Sequence, residues 1–476
     1  MTHLAEECLE VINNGLFEFA EPGPLRQPIR SFSLSRNDRL TLILETSIAS
    51  DAKSKAVEHP PGTVRLSTER AKLINLARTE AELVGVIPYS VRTAHGDDTN
   101  GLKESAQVHL ATVTLGDLAT ATYTIDWLEN LPTSPFVWPD TIKTTKNSVG
   151  AHTIGMDNDG LTISSESERF SSSRTAAKLV ILGVTLYVCA LGRDGAPGGI
   201  KPGCIIYDGT PDDAFRKKVR TALSFTLGLY LVDLGHTIYD RDWRIVRALA
   251  RSAYSLGRRA FDIGPEQLAP LGPRFLNELN GPQLTRAVNA LLSRYDELDF
   301  ANLSWAYWHA CAATPHIAPA HFGAAIEALQ RAYIETGPNS VAEAWAPRQV
   351  WKSLRASMVS LIGQTDINDE AKEAMVEKLA NFNQVDQRPL LKAVLGTLCL
   401  QLSENEDAAW RRRNKAAHGM PIPEGEELAA IRDMKLLRGL FQRMLLRITN
   451  AADEYIDYAS ANHPYRRLED APPASA

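Results

Sequence analysis

The sequence predicts an α+β protein in which a β-rich N-terminal half gives way to an all-α C-terminal half. Three observations carry that reading. Stretches with period-two alternation, rich in β-branched and aromatic residues, crowd the first 210 positions. Beyond them, apolar residues recur at helical spacing. The length, 476 residues, exceeds a single typical core and implies two or three domains. The expected division is a β-rich domain over 1–210, a helical connector over 211–312, a helical bundle over 313–460 and a disordered tail over 461–476.

In order along the chain, "SFSLS" (31–35) alternates, and "RLTLILET" (39–46) follows an Asn-Asp turn. Residues 68–83 read as a helical insertion. "VHLATVTL" (108–115) and "ATYTI" (121–125) are strand-like around Gly116-Asp117, and 177–191 covers two strands or one long one. The glycine-rich run 192–203 lacks the Gly-Lys-Ser/Thr ending of a phosphate loop and reads as a long turn. Helical spacing governs 212–235, ending on Gly235, arginine-rich helices are expected at 241–260, and another helix is expected through 282–294. A further array follows Pro315 and Pro319, with helices near 319–335, 347–362, 369–381, 388–401, 404–418 and 425–459.

A formal charge of −6 argues against non-specific coating of nucleic acid, so any RNA contact needs a local basic site. The five cysteines are scattered, which fits a reducing cytosol and leaves no cysteine zinc site. The first 20 residues are acidic rather than signal-like, and the longest apolar runs fall short of the roughly 20 residues a membrane helix requires. A soluble, cytoplasmic protein with no membrane partner is expected. His309, His316 and His321 flank Cys311 at a spacing that matches no common zinc pattern.

The chemistry concentrates in "WRRRNKAAHGMPIP" (410–423). Ser403 and Glu406 form a capping-box pattern, and the helix they start must end at Gly419, ahead of Pro421 and Pro423. Trp410, Asn414 and His418 recur at i, i+4, i+8 and share a face, and the long Arg413 side chain can swing toward the helix end to join them. Such a set suits RNA cleavage. A histidine can take the proton of a ribose 2′-hydroxyl or give one to the leaving oxygen, and a guanidinium can grip the phosphate. No metal or other cofactor is required. The plainer reading is a basic last turn that complements the helix dipole, with Arg411 tied to Asp407 at i, i+4. All of Arg411, Arg412 and Arg413 lie five to seven residues before His418, so spacing alone does not choose among them.

"RNKAAHG" resembles the R-x4-6-H signature of HEPN domains, the helical fold of many prokaryotic RNA-cutting toxins and defence proteins. The Arg-Asn pair at 413–414 favours Arg413 as the motif arginine. "HFGAAIEALQRAY" (321–333) is similar to the first HEPN helix of ApeA-like abortive-infection proteins, which also place a β-rich domain first. The resemblance implies a metal-independent endoribonuclease leaving a cyclic phosphate, active as a homodimer whose motif helices form one cleft. His418 would be the acid/base, Arg413 the phosphate clamp, and Asn414 a supporting group. It also implies antiviral defence against phage, with RNA (transfer RNA among the candidates) as substrate and a phage-derived trigger sensed through the N-terminal domain. Glu327 is a candidate supporting residue or a boundary glutamate on an amphipathic helix, and Arg412 either binds RNA or faces solvent. Arg432, Lys435, Arg443 and Arg447 line one face of the last helix, as an RNA track or a solvated stripe. The competing function is a non-catalytic HEPN-like module that binds nucleotides or RNA, or dimerises.

Overall fold

A computed structural model describes residues 6–53, 68–93, 101–131, 138–154, 161–191, 202–253, 269–271, 281–337, 341, 344–380 and 382–473. The chain is α+β and divides into two compact units, Met1–Asn289 and Ala290–Ala476.

The first unit opens with α1 (Glu7–Asn14), then β1 (Glu18–Glu21), β2 (Gln27–Arg36), β3 (Leu42–Lys53), β4 (Arg70–Ile74), β5 (Glu80–Val84), β6 (Ile87–Thr93), β7 (Gly101–Val108) and β8 (Leu110–Thr114). It continues with β9 (Ala121–Leu128), β10 (Asp140–Ile154), β11 (Leu161–Ile181), β12 (Val184–Ala190), β13 (Gly203–Asp208), α2 (Asp213–Leu227), β14 (Asp233–Asp240) and β15 (Ile245–Arg251). Eleven strands form one sheet in the order β1-β4-β5-β8-β15-β14-β9-β13-β12-β11-β10, and β2-β3-β7-β6 form a second. Every pairing is antiparallel. Leu34, Leu44 and Val108 of the small sheet share a core with Leu73, Leu83, Val113 and Ala250 of the large one and with Leu9 and Ile12 of α1. Alternation explains the register: β4 and β5 bury Ala71, Leu73, Ala81 and Leu83, and the residues between them are exposed on β4 and more open on β5.

Three expectations are corrected here. Residues 68–83 are not a helix. Their helix-forming composition is overridden by a period-two pattern that pairs β4 with β5. The helix expected at 241–260 is strand β15 over its described part, and residues 254–260 lie outside the described residues. The helix expected over 212–235 ends at Gly228, whose φ of +72° suits glycine, and the chain then enters β14. The proposed helical connector therefore contains two central strands of the large sheet. Of the run 192–203, residues 192–201 lie outside the described residues.

α3 (Gly281–Ser293) spans the division between the units. The second unit contains α4 (Phe300–Ala312), α5 (Ala318–Thr336), α6 (Arg348–Gly363), α7 (Asp369–Leu379), α8 (Gln387–Thr397), α9 (Glu404–Ala417), α10 (Glu427–Thr449) and a small ladder of β16 (Glu454–Ile456) with β17 (Tyr465–Arg467). α5 is central and packs against α4, α8, α9 and α10. Tyr307 stacks on Phe441 at 5.1 Å, with Phe322, Ile326, Trp410, Leu437 and Met444 buried in the same unit. The last helix ends at Thr449, ten residues short of the expected end near 459, and is capped by Asn450 in a left-handed conformation. The expected frayed tail is ordered where described: Leu468 is fully buried and β17 pairs with β16. Among the described residues, no helix is long and apolar enough to cross a membrane.

Candidate active site at the end of the motif helix

α9 begins with the expected capping box. Ser403 Oγ accepts from the Glu406 amide at 3.2 Å, and the Ser403 amide donates to Glu406 Oε2 at 2.9 Å. It ends at His418, whose amide donates to the Asn414 carbonyl at 3.0 Å, and Gly419 follows at φ +66°. This stop leaves the His418 side chain exposed at the helix end, with Asn414 exposed one turn earlier. The shared face therefore runs from core to solvent, since Trp410 is fully buried.

The three arginines have three different fates. Arg411 lies on the surface, 3.6 Å from Asp407 Oδ2. Asp407 also receives Arg388 at 2.6 and 2.8 Å, and that hydrogen bonding holds its carboxyl below the ordinary carboxylate value. Arg412 makes a bidentate pair with Asp433 of α10, at 2.5 and 2.7 Å, which raises its own pKa. Arg412 is thus held by a carboxylate rather than facing solvent alone. Arg413 is buried: Nη1 donates to the Trp410 carbonyl at 2.9 Å, the guanidinium lies 3.5 Å over the Trp410 ring, and Nη2 donates to Glu327 Oε1 of α5.

The sequence reading had Arg413 swinging forward to the helix end. It turns back instead, toward Trp410 and α5, because a ring face, a carbonyl and a carboxylate await it there. Glu327 is accordingly a direct partner of the motif arginine. Gly323 completes the cradle, and sequence reasoning missed it. A β-carbon at Gly323 would overlap Arg413 Cδ and sit 2.8 Å from Nε. The available signal was a glycine inside a helix, which costs about 1 kcal/mol against alanine and so asks for a reason.

The basic stripe expected on α10 is broken at Arg443. Arg443 is fully buried, donating to Glu406 Oε1 at 2.8 Å, the Leu468 carbonyl at 3.0 Å and the Gln401 carbonyl at 2.8 Å. It ties the capping-box glutamate to the C-terminal segment. Arg447 pairs with Glu469 at 3.1 Å, and Arg432 and Lys435 are half-buried. Among the described residues, no group of three or more His, Cys, Asp or Glu side chains is arranged to hold a metal ion.

Comparisons with protein-family models, with curated proteins and with solved structures gave no match to this chain.

Proposed function

We propose that the helical unit is a metal-independent RNA endonuclease of the HEPN type, acting in abortive-infection defence against phage. The observation that supports this best is the contrast along α9. An exposed imidazole ends the helix, and about one and a half turns earlier sits a guanidinium that is buried, aimed by Glu327 and accommodated by Gly323. A helix end that merely faced solvent would need neither the glycine nor the carboxylate.

In this reading His418 removes the ribose 2′-hydroxyl proton, and the oxygen attacks the adjacent phosphorus. The bond to the 5′-oxygen breaks, that oxygen takes a proton from the imidazole of a second copy, and a 2′,3′-cyclic phosphate remains. Arg413 offsets the charge that develops on the non-bridging oxygens, and Asn414 orients the ribose or the phosphate. A resting Arg413 is occupied by Glu327, so an incoming phosphate exchanges for that carboxylate. The pair thereby contributes to restraint, which an RNA-cutting protein requires inside its own host. The β-rich unit is assigned the sensing of a phage-derived trigger, and two copies complete one cleft.

The same occupied guanidinium favours a second reading, a non-catalytic module that binds RNA or nucleotides. The two are separated by incubating wild type and His418→Ala with transfer RNA and total RNA in excess chelator. Cyclic-phosphate ends from wild type alone are expected. Intact RNA, together with equal host toxicity of the two proteins during phage infection, would leave the binding module as the reading.

A further inference from the structure

The five cysteines are spread along the chain, and the fold brings two of them face to face. Cys189 on β12 and Cys204 on β13 are direct register partners in an antiparallel ladder, so both side chains leave the same face of the large sheet. One row of that sheet runs Ala176, Cys189, Cys204, Trp127 across β11, β12, β13 and β9. Both cysteines are free and buried, Cys189 at 6% and Cys204 at 2% exposure, in a core with Trp127, Leu191 and Leu234.

The ladder also fixes how far apart they are. The Leu191 amide donates to the Pro202 carbonyl at 2.9 Å, two residues along from the cysteine pair. Hydrogen-bonded and non-hydrogen-bonded pairs alternate, so Cys189–Cys204 is of the same, hydrogen-bonded kind as Leu191–Pro202. Such partners stand about 5.5 Å apart at Cα. That separation falls inside the range of about 4.4–6.8 Å that a disulfide spans, so forming the bond asks for side-chain rotation and no backbone travel.

The other three cysteines are placed otherwise. Cys8 on α1 donates its thiol to the Ala111 and Ala248 carbonyls at 3.4 and 3.6 Å, Cys311 lies on α4, and Cys399 is exposed beyond α8. Burial pushes the thiols of Cys8 and Cys311 up to about 12, where thiolate is scarce. Cys189 is also buried, yet the Cys204 thiol facing it holds its pKa below the ordinary thiol value, while the Cys189 sulfur and burial push Cys204 up. One sulfur is thus set to lose its proton and the other to keep one. Filling space needs no sulfur at this row, since the residue beside Cys189 is an alanine.

We infer that Cys189 and Cys204 form a dithiol–disulfide site that hydrogen peroxide oxidises in two steps. The Cys189 thiolate attacks one peroxide oxygen, the O–O bond breaks, and the departing hydroxide takes up the proton that the thiol released, leaving as water. Cys189 is then a sulfenic acid. The Cys204 sulfur attacks the Cys189 sulfur, the S–O bond breaks, and the hydroxide leaves with the Cys204 proton as a second water. Two thiols lose two electrons in all, and one peroxide is reduced to two waters. The new bond ties β12 to β13, and a dithiol reductant reverses it by exchange. In a reducing compartment the pair rests as the dithiol and closes only after oxidant arrives. The inference does not depend on RNA cleavage, and its test contains no RNA.

The test treats the folded full chain with hydrogen peroxide, then unfolds it in urea with an alkylating agent and follows each cysteine by peptide mapping. Residues 189 and 204 are expected in one linked peptide lighter by two hydrogens, with Cys8 and Cys311 still alkylated, and dithiothreitol should return both cysteines to the alkylated form. The link should form at least ~10-fold faster in the folded protein than in urea, because the ladder already holds the two sulfurs together. In Cys204→Ala, Cys189 loses its resolving partner and should be trapped by dimedone as the sulfenic acid. Folded wild type in which both cysteines remain alkylated overturns the inference. So does a link that forms no faster folded than in urea, or Cys189 found as sulfinic acid beside a reduced Cys204. A dimedone adduct on Cys204 in Cys189→Ala, with none on Cys189 in Cys204→Ala, overturns the order of attack. If either variant loses sheet content by circular dichroism, the mapping and the two rates on wild type decide alone.

Discussion

Each unit contains arginines gathered around carboxylates, and the two gatherings behave differently. In the sheet unit, Arg216 and Arg220 lie four residues apart on α2 and both reach Asp126 on β9. Arg216 does so at 2.7 Å, and the Tyr207 hydroxyl donates to the same carboxylate at 3.3 Å. Asp233 and Arg251 extend the network, and His236 lies 3.4 Å from Arg216. Asp126, Arg216, Arg220 and His236 are all buried. In the helical unit, Arg413 and Glu327 form a similar pair, but the helix carrying it ends in an exposed histidine. The first gathering is closed off among buried groups, whereas the second lies on a helix whose exposed end histidine is the group the proposed cleavage uses.

Experiments can break or sharpen that distinction. The largest effect is expected from Asp126→Ala, which leaves two buried guanidiniums without their main acceptor. Urea denaturation should show a loss of about 3–5 kcal/mol, with cleavage per folded molecule unaltered. A loss below about 1 kcal/mol would mean that the network is not the sealed scaffold described. His418→Ala should do the reverse. Cleavage should drop at least ~100-fold while the urea midpoint stays where it was.

Gly323→Ala tests the cradle through its sign. An alanine in a helix interior ordinarily stabilises by up to about 1 kcal/mol. Here the added methyl must displace Arg413, so a destabilisation of about 1–3 kcal/mol is expected, together with weaker cleavage. A more stable and fully active variant would remove Arg413 from the site.

The last two predictions concern pH. Burial and the facing guanidinium of Arg216 push His236 down to about 2 from an ordinary 6.5. The unfolded chain therefore binds the extra proton between those values. The stabilisation is complete above pH 6.5 and is lost as pH falls, by at most about 1.4 kcal/mol per pH unit. Burial pushes Glu129 up to about 7 from 4.5, so its contribution is present below pH 4.5 and fades as pH rises through 7. His236→Gln should flatten only the acid limb of the stability profile and Glu129→Gln only the neutral limb. Unchanged limbs would show that these groups are open to water.

What the sequence disclosed follows the range of the interactions concerned. The α9 capping box, the stop at Gly419 and the extents of α5, α6 and α7 depend on neighbours within a few residues, and they were legible. So were the strands around 31–46, 108–125 and 177–191, whose β-branched residues alternate. β4, β5 and β15 were misread because Ala, Leu, Glu, Lys and Arg favour helices, although Ala71 and Leu73 already alternated with Arg70 and Lys72. The fate of the arginines was out of reach. Whether a guanidinium meets Glu327, Asp433 or solvent depends on residues 86 and 21 positions away, and no local pattern encodes that. The same distance effect hid Arg443, which looked like part of a surface stripe and is a buried tie.

The order of strands in the large sheet also sets a timetable. β14 and β15 are its last strands in sequence, yet they lie in its middle and join β8 to β9. A ribosome adding roughly 5–20 residues per second leaves the edge of β8 open for roughly 7 to 26 seconds before β15 arrives. An open edge of that duration invites pairing with a neighbouring nascent chain, so crowded polysomes are where this protein is most exposed to misassembly. His418 is made later still, 167 residues after the last strand of the sheet. The newborn chain has thus closed its sheet before it possesses a complete motif helix.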